Sequence, residues 1–468
     1  MFLKKGVVQG VLAAVLAGCG ETSPTGIPGT GPEVRPCFEK PEGWAGEGIT
    51  YGTRQSDELL DVIVDAQGHL YLAGYKEGIT GEDAIDPSGD ARGVVVKVGG
   101  LDARGAPTLF AEILVDNPHT RETVEAMAFH PTTGELYFTG RTTGAFGSSF
   151  TSKGQQDAFV GKVHEETGTA EVFFQGGTER PQHPNRLAFD GHGDIVVSGF
   201  DDTYVPTNYV EAWEDPFVFK LQRTDSSPEF SLQWWTQPKT AQTDTLGGLA
   251  VETGSESSIY VTGRDAGGPT RGAFVRKLDA QGRELWSSRQ TSIGFDMIQA
   301  AHLLEDGQVL IAGSTFAKLG ERSFGEQDVV VRKLDPATGA ATWTVQLGSE
   351  GSDWVTDMAV DARGHIYLVG ETLGAMDPAQ GHQGNYDVFL VVLDPAGQQL
   401  LVRQWGSARD DHPSAVAVDA CGQAFIVGYT TGDLFGPSKG ERDGFVLAPV
   451  MPHAQRGSTR TVLEVTSR

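Results

Sequence analysis

The sequence predicts an all-β fold: a single seven-bladed β-propeller of four-stranded antiparallel blades, closed by an N-terminal strand that completes the last blade. Three observations carry this. A glycine closes a β-rich run seven times: "LYLAG" (Gly74), "LYFTG" (Gly140), "IVVSG" (Gly199), "IYVTG" (Gly263), "VLIAG" (Gly313), "IYLVG" (Gly370) and "AFIVG" (Gly428), at spacings of 66, 59, 64, 50, 57 and 58 residues. Self-similarity at that period points to a stacked or circular array rather than unrelated domains. Each unit holds four short strand-like runs, and the last unit lacks its fourth run while an unattached one precedes the array.

The sixth unit shows the elements in order. "VTDMAVDA" alternates apolar and polar residues, as a half-buried strand does. "HIYLVGET" follows an Asp-Ala-Arg-Gly turn in which Gly364 can take φ > 0 at no steric cost. A polar loop, 373–386, leads to "DVFLVVLD", a turn at Pro395-Ala396-Gly397, and "QLLVRQWG". We letter these strands A to D. Four such strands repeated seven times is the pattern of a propeller, in which each sheet buries its faces against its two neighbours.

Strand C recurs with a lysine in five units: Lys97, Lys162, Lys220, Lys277 and Lys333. A position copied into most blades suits a snorkelling side chain better than a catalytic one.

The seventh unit has strands A ("SAVAVDA"), B ("QAFIVG") and C ("DGFVLAPV"), then reaches Pro452 without a strand D. "ITYGTRQSD" (49–57) aligns with "VQLGSEGSD" (345–353), placing Gly52 over Gly348 and Asp57 over Asp353. The expectation is that this segment completes the last blade, so that neither sheet edge stays open.

Ahead of the array, "MFLKKGVVQGVLAAVLAGCG" joins Lys4 and Lys5 to an apolar run too short to span a bilayer permanently, the layout of an export signal. Leu16-Ala17-Gly18-Cys19 resembles a bacterial lipobox, which implies cleavage before Cys19 and a lipid on its sulfur. The sequence thus divides into a signal peptide (1–18), a lipidated cysteine and Pro/Gly/Thr-rich tether (19–43), the propeller (44–452) and a polar tail (453–468).

With 36 Lys+Arg against 62 Asp+Glu, the formal charge is −26. A chain this acidic repels phosphate backbones, which disfavours nucleic acid, and no such partner is expected.

The composite unit runs Asp-x-x-x-x-x-Ala-Val-Asp-Ala-x-Gly-x-x-Tyr-x-x-Gly, then Asp-x-Phe-Val-x-Lys-Leu-Asp, then Trp-x-x-Gln-x-Gly. It resembles the seven-bladed β-propeller repeat family known as SBBP repeats, over about 44–452. The resemblance implies the fold and an extracytoplasmic setting in a bacterial cell envelope. It implies no particular activity.

Three cysteines remain to be placed. With Cys19 as lipid anchor, only Cys37 and Cys421 are left to pair. Cys421 lies in the A–B turn of blade 7, on the face where the closing strand starts, and Cys37 lies just upstream of that strand. We expect a Cys37–Cys421 disulfide stapling the closure, the alternative being two free thiols. An exported protein sits where such a bond persists.

Catalytic motifs are absent: there is no His-Glu-x-x-His, Gly-x-Ser-x-Gly or phosphate loop. The 11 histidines are scattered, and His69 and His365 share one turn position. "LDPATGAATW" (334–343) partly resembles the tryptophan docking motif of pyrroloquinoline-quinone dehydrogenases, but is clean in one blade, and reads as a C–D turn followed by a buried Trp343. "DAQGRELW" (279–286) misses the Asp-box spacing by one residue.

Asp57, Asp244, Asp296, Asp353 and Asp411 all precede strand A. Together they could hold a hard cation such as Ca²⁺ near the channel, or each could cap local backbone N–H groups. Their repetition favours capping, so no cofactor is expected.

The long B–C loops share that face and differ most between blades, which is where function usually sits on a rigid scaffold. The third carries Tyr204, Tyr209 and Trp213, aromatics suited to anchoring a partner. The sequence therefore predicts a monomeric, lipid-anchored envelope protein, at the outer membrane or cell surface, that binds a protein or glycan partner without catalysis. Its rivals are an envelope carbohydrate lyase or hydrolase using acidic loop residues, and a purely structural component.

Overall fold

A computed structural model describes residues 37–77, 91–101, 106, 108–202, 214–224, 229–237, 244–254, 257–265, 272–291 and 297–452. It contains seven four-stranded antiparallel sheets and, among the described residues, no helix. Blade 6 is typical, with A (Asp353–Val360), B (Ile366–Thr372), C (Asp387–Leu393) and D (Gln399–Trp405) paired in sequence order. The first strand of each blade packs against the first strands of its neighbours, and that of blade 7 (Asp411–Val418) against that of blade 1 (Asp57–Val64). These strands therefore line the central axis, and the ring is closed.

The burial pattern explains the sequence pattern. Strand C of blade 6 is buried at every position, whereas strand D is mostly half-buried and is exposed at its first two residues. Middle strands are covered on both faces by adjacent blades and read as continuous apolar runs. Tyr71, Tyr137, Tyr260, Tyr367, Phe159, Phe217, Phe389 and Phe445 are among the largest fully buried side chains.

The seven landmark glycines have a common cause that the sequence reading did not find. Strand A carries a register shift in every blade, for example between Val355 and Asp357 in blade 6. It throws the carbonyl just before it against strand B. A Cβ on Gly370 would lie 1.9 Å from the Trp354 carbonyl oxygen, and the same clash recurs at Gly74, Gly140, Gly199, Gly263, Gly313 and Gly428. The glycines mark close backbone approach beside a β-bulge. The bulge also breaks the simple alternation expected of "VTDMAVDA": Thr356 and Asp357 are both half-buried.

The closure is as the sequence predicted. Gly48–Tyr51 pairs antiparallel with Asp443–Leu447 as the outermost strand of blade 7. Cys37 and Cys421 form a disulfide with their Cα atoms 5.6 Å apart. Beside it the Phe38 N–H donates to Asp419 Oδ2 at 3.0 Å, and the Phe38 ring packs edge-on against Trp44 and Phe425.

Candidate functional site

One end of the ring carries the D–A connections and the B–C loops. Among the described residues, acidic side chains are enclosed at the blade junctions there. Asp353 Oδ2 accepts from the Ser349 N–H (2.6 Å) and Oδ1 from the Ser349 and Thr372 hydroxyls (2.9 and 2.5 Å). Asp411 repeats this with the Ser407 N–H and the Thr430 hydroxyl, and Asp57 with the N–H and hydroxyl of Thr53. Asp244 is buried at the same position. Asp296 lies outside the described residues. Blades 2 and 3 place Glu122 and Gln182 there, both fully buried. Gln182 is neutral and donates from Nε2 to the Thr178 hydroxyl at 2.7 Å, so the position does not require charge.

A second series faces the first. Asp328, at the start of strand C in blade 5, accepts from the Phe324 and Gly325 N–H groups and from Gln346 Nε2 (2.9, 3.0 and 2.7 Å). Gln346 Oε1 in turn accepts the Leu319 and Gly320 N–H groups at 2.8 Å. Gln404 with Asp387, and Gln175 with Asp157, make the same clamp. Gly348 sits between the two series: a Cβ there would lie 2.4 Å from Asp328 Oδ1 and 3.0 Å from Asp353 Oδ2. The repeated Gln-x-Gly of strand D is thus a device for holding B–C loops.

Enclosing carboxylates away from water favours their neutral form. Burial pushes Asp57 up to about 7, against the lowering hydrogen bonds from Thr53. It also raises Asp353, Asp387 and Asp411. Among the described residues no three acidic, histidine or cysteine side chains converge as a metal site would need.

Along the axis, half-buried Asp61 and Asp357 take equivalent places beyond the bulge. Each caps the next blade: Asp61 accepts from Met127 N–H at 2.7 Å, Asp357 from Val416 N–H at 3.0 Å. Arg186 donates to Asp357 Oδ1 at 3.3 Å. Burial pushes Asp61 up to about 7 despite the Met127 N–H and Arg186.

The opposite face is built from turns. Asp65, Asp190, Asp279, Asp361, Asp394 and Asp419 each accept backbone N–H groups of their own turn. His69 and His365 bond to Asp65 and Asp361, so both act within their turns. Lys97, Lys162 and Lys277 lie over the rings of Tyr71, Tyr137 and Tyr260 at 4.9, 5.4 and 4.9 Å, the snorkelling role expected of them. Lys220 differs: it is buried between Asp190 and Asp194, at 2.6 and 2.9 Å.

One expectation is corrected here. Trp343 is half-buried, not core. Its indole laps over Gly397 of the next blade, and Nε1 donates to the Ala396 carbonyl at 3.1 Å. Trp234 and Trp286 do the same to Ala280 and Pro336.

Tyr204, Tyr209 and Trp213 lie outside the described residues, as does Cys19. The sequence reading missed a row of aromatic side chains on the loop face where blades 6 and 7 meet. Trp354, Tyr386, His412 and Tyr429 follow one another across blades 6 and 7 with ring centroids 5.9, 5.0 and 4.9 Å apart. They sit next to the repeat landmarks, at positions where the repeats differ.

The chain is a seven-bladed β-propeller with the B–C loops of blades 2, 5 and 6 clamped to one face. No protein-family model and no curated protein sequence matches it. Among solved structures it is similar to Sqt1 from Chaetomium thermophilum, at 11% identity and a TM-score of 0.48 over 88% of this chain and 87% of that one. It is also similar to an oligogalacturonate lyase in complex with manganese, at 13% identity and 0.43 over 85% and 98%. These likenesses are too distant to carry an argument, and the fold stands on its own strand pairing.

Proposed function

We propose that this protein is a lipid-anchored, extracytoplasmic binding or scaffold module of the SBBP-repeat type, which presents its B–C and D–A loops to an envelope partner without catalysis. The observation that carries this is the glutamine–carboxylate clamp. The same side chains hold loops of dissimilar sequence in one frame on one face. Scaffold and loops are thereby separated, as in proteins that vary recognition on a fixed support.

The non-catalytic reading draws support from the fate of the carboxylates. A general acid or base must reach a reacting group. Asp57, Asp353, Asp387 and Asp411, raised by burial, are fully enclosed and hydrogen-bonded within the junctions. The disulfide accords with an oxidising compartment, and Cys19 is the proposed attachment point.

Two experiments test this reading. Metabolic labelling with a palmitate analogue is expected to mark the wild-type chain and not Cys19→Ser. Replacing the exposed part of the blade 6 loop, 378–385, with a Gly/Ser segment of equal length is expected to abolish partner capture while leaving the thermal midpoint within a few degrees. Retained capture would remove that loop from the contact face.

A further inference from the structure

The loop face carries a second set of side chains where blades 6, 7 and 1 meet, distinct from the enclosed carboxylates. Trp354, His412 and Glu58 are the second residues of the axial strands of blades 6, 7 and 1. Tyr386 and Arg442 immediately precede strand C in blades 6 and 7, and Tyr429 lies opposite His412 on strand B. These residues meet across the blade boundaries. Tyr386 stands 5.0 Å from His412, and Arg442 lies 4.9 Å over Tyr429 while pairing with Glu58 of blade 1.

We infer that this row binds an uncharged saccharide chain. The inference rests on the proposal that the loop face is the contact face, and names the chemistry it would recognise. The four rings are half-exposed and tilted to one another by 53°, 39° and 33°, so they do not stack face to face. Aromatic bodies with one side packed and the other wet suit flat, C–H-bearing ligands with hydroxyl rims.

Two charged pairs stand beside the rings, and the Asp410 carboxylate lies near His412 as well. His412 Nδ1 lies 2.5 Å from Glu371 Oε2, with side-chain exposures of 23% and 21%, and Arg442 holds Glu58. Such pairs offer planar hydrogen-bond donors and acceptors at the rim of the rings. The overall charge of −26 repels anionic polymers.

The test uses the full-length lipidated chain in detergent, an array of neutral gluco-, xylo-, manno- and chito-oligosaccharides, and polygalacturonate as the anionic control. The best neutral binder is then titrated by calorimetry. Tyr386→Ala is expected to weaken it about tenfold and Tyr386→Phe to stay within about twofold, since stacking needs the ring and not the hydroxyl. Leu232→Ala, on an outer strand of blade 3, is expected to have no effect. Trp354→Ala gives an independent reading should Tyr386→Ala fail to fold.

Saccharide binding indifferent to both alanine variants overturns the inference. So does the absence of neutral saccharide binding combined with protein cross-links mapped to Trp354 or Tyr386, although the loop-face proposal would then stand. No saccharide and no cross-link from this face would remove both.

Discussion

Trp405 Nε1 donates to Glu47 Oε2 across 3.1 Å, joining the sixth blade to the segment that closes the ring. In earlier blades the equivalent indole finds the carbonyl of the next C–D turn, at Ala280, Pro336 or Ala396. Blade 7 has no such turn, because its outer strand comes from the other end of the chain. The Glu47 carboxylate stands in for the missing carbonyl, and its Oε1 also takes the Val450 N–H at 2.9 Å. Glu47→Ala strips both donors and is expected to cost about 1–3 kcal/mol, read as a shift of the denaturant midpoint.

The disulfide acts at the same seam. It joins residues 384 apart in sequence, so in the unfolded state it closes a loop of nearly the whole chain. Cys421→Ser is expected to lower stability by about 2–5 kcal/mol, and reductant should lower the wild-type midpoint to that of the variant. Equal midpoints with and without reductant would show that strand pairing alone holds the ring.

Much of this architecture was legible in the sequence. Blade number, strand order, closure and cysteine pairing follow from repeat spacing, the strand missing from blade 7 and a cysteine in a turn that elsewhere has none. The bulge beside Gly370 was not legible, because a close carbonyl contact leaves no mark beyond the glycine itself. The glutamine of "Trp-x-x-Gln-x-Gly" was visible, but its role depends on a loop and a carboxylate distant in sequence. The row of Trp354, Tyr386, His412 and Tyr429 was hidden because its members differ between repeats.

The repeated lysines separate into two kinds with measurable consequences. Lys97 is 27% exposed and pairs with Glu165, so Lys97→Met is expected to cost less than about 1 kcal/mol. Lys220 is 4% exposed between two aspartates. Removing its charge leaves them uncompensated, and Lys220→Met is expected to cost about 3–5 kcal/mol. Denaturant titration of the two variants side by side checks the contrast.

The loop clamp predicts a local effect. Gln404→Ala removes partners from Asp387, the Gly374 carbonyl and the Asp377 N–H. Hydrogen exchange at residues 374–377 is expected to accelerate at least about tenfold, as expected where a cooperative unit loses local stability, while the blade 5 loop held by Gln346 stays unchanged.

Stability should fall as pH rises from about 4 to 7. Asp57 and Asp61 are pushed from 3.8 up to about 7, so over that interval the folded state binds more protons than the unfolded one. His412 acts in the same direction: burial lowers it, but Glu371 raises it on balance, and that contribution is lost as pH climbs through its folded value. Asp57→Asn should match wild type near pH 4 and exceed it at pH 7, by up to about 4 kcal/mol. Denaturation across pH 4–8 measures both slopes, and a wild-type midpoint that rises with pH would contradict this reading.

The most direct test of a loop-face binding module is photo-cross-linking in intact cells from single exposed sites. Phe316 and Leu373 lie at the starts of the blade 5 and 6 loops, 44% and 39% exposed, whereas Leu232 and Leu400 lie on outer strands at 47% and 39%. The account predicts discrete adducts from Phe316 and Leu373 and none from Leu232 or Leu400. Adducts from the outer strands alone, or from no site, would contradict it.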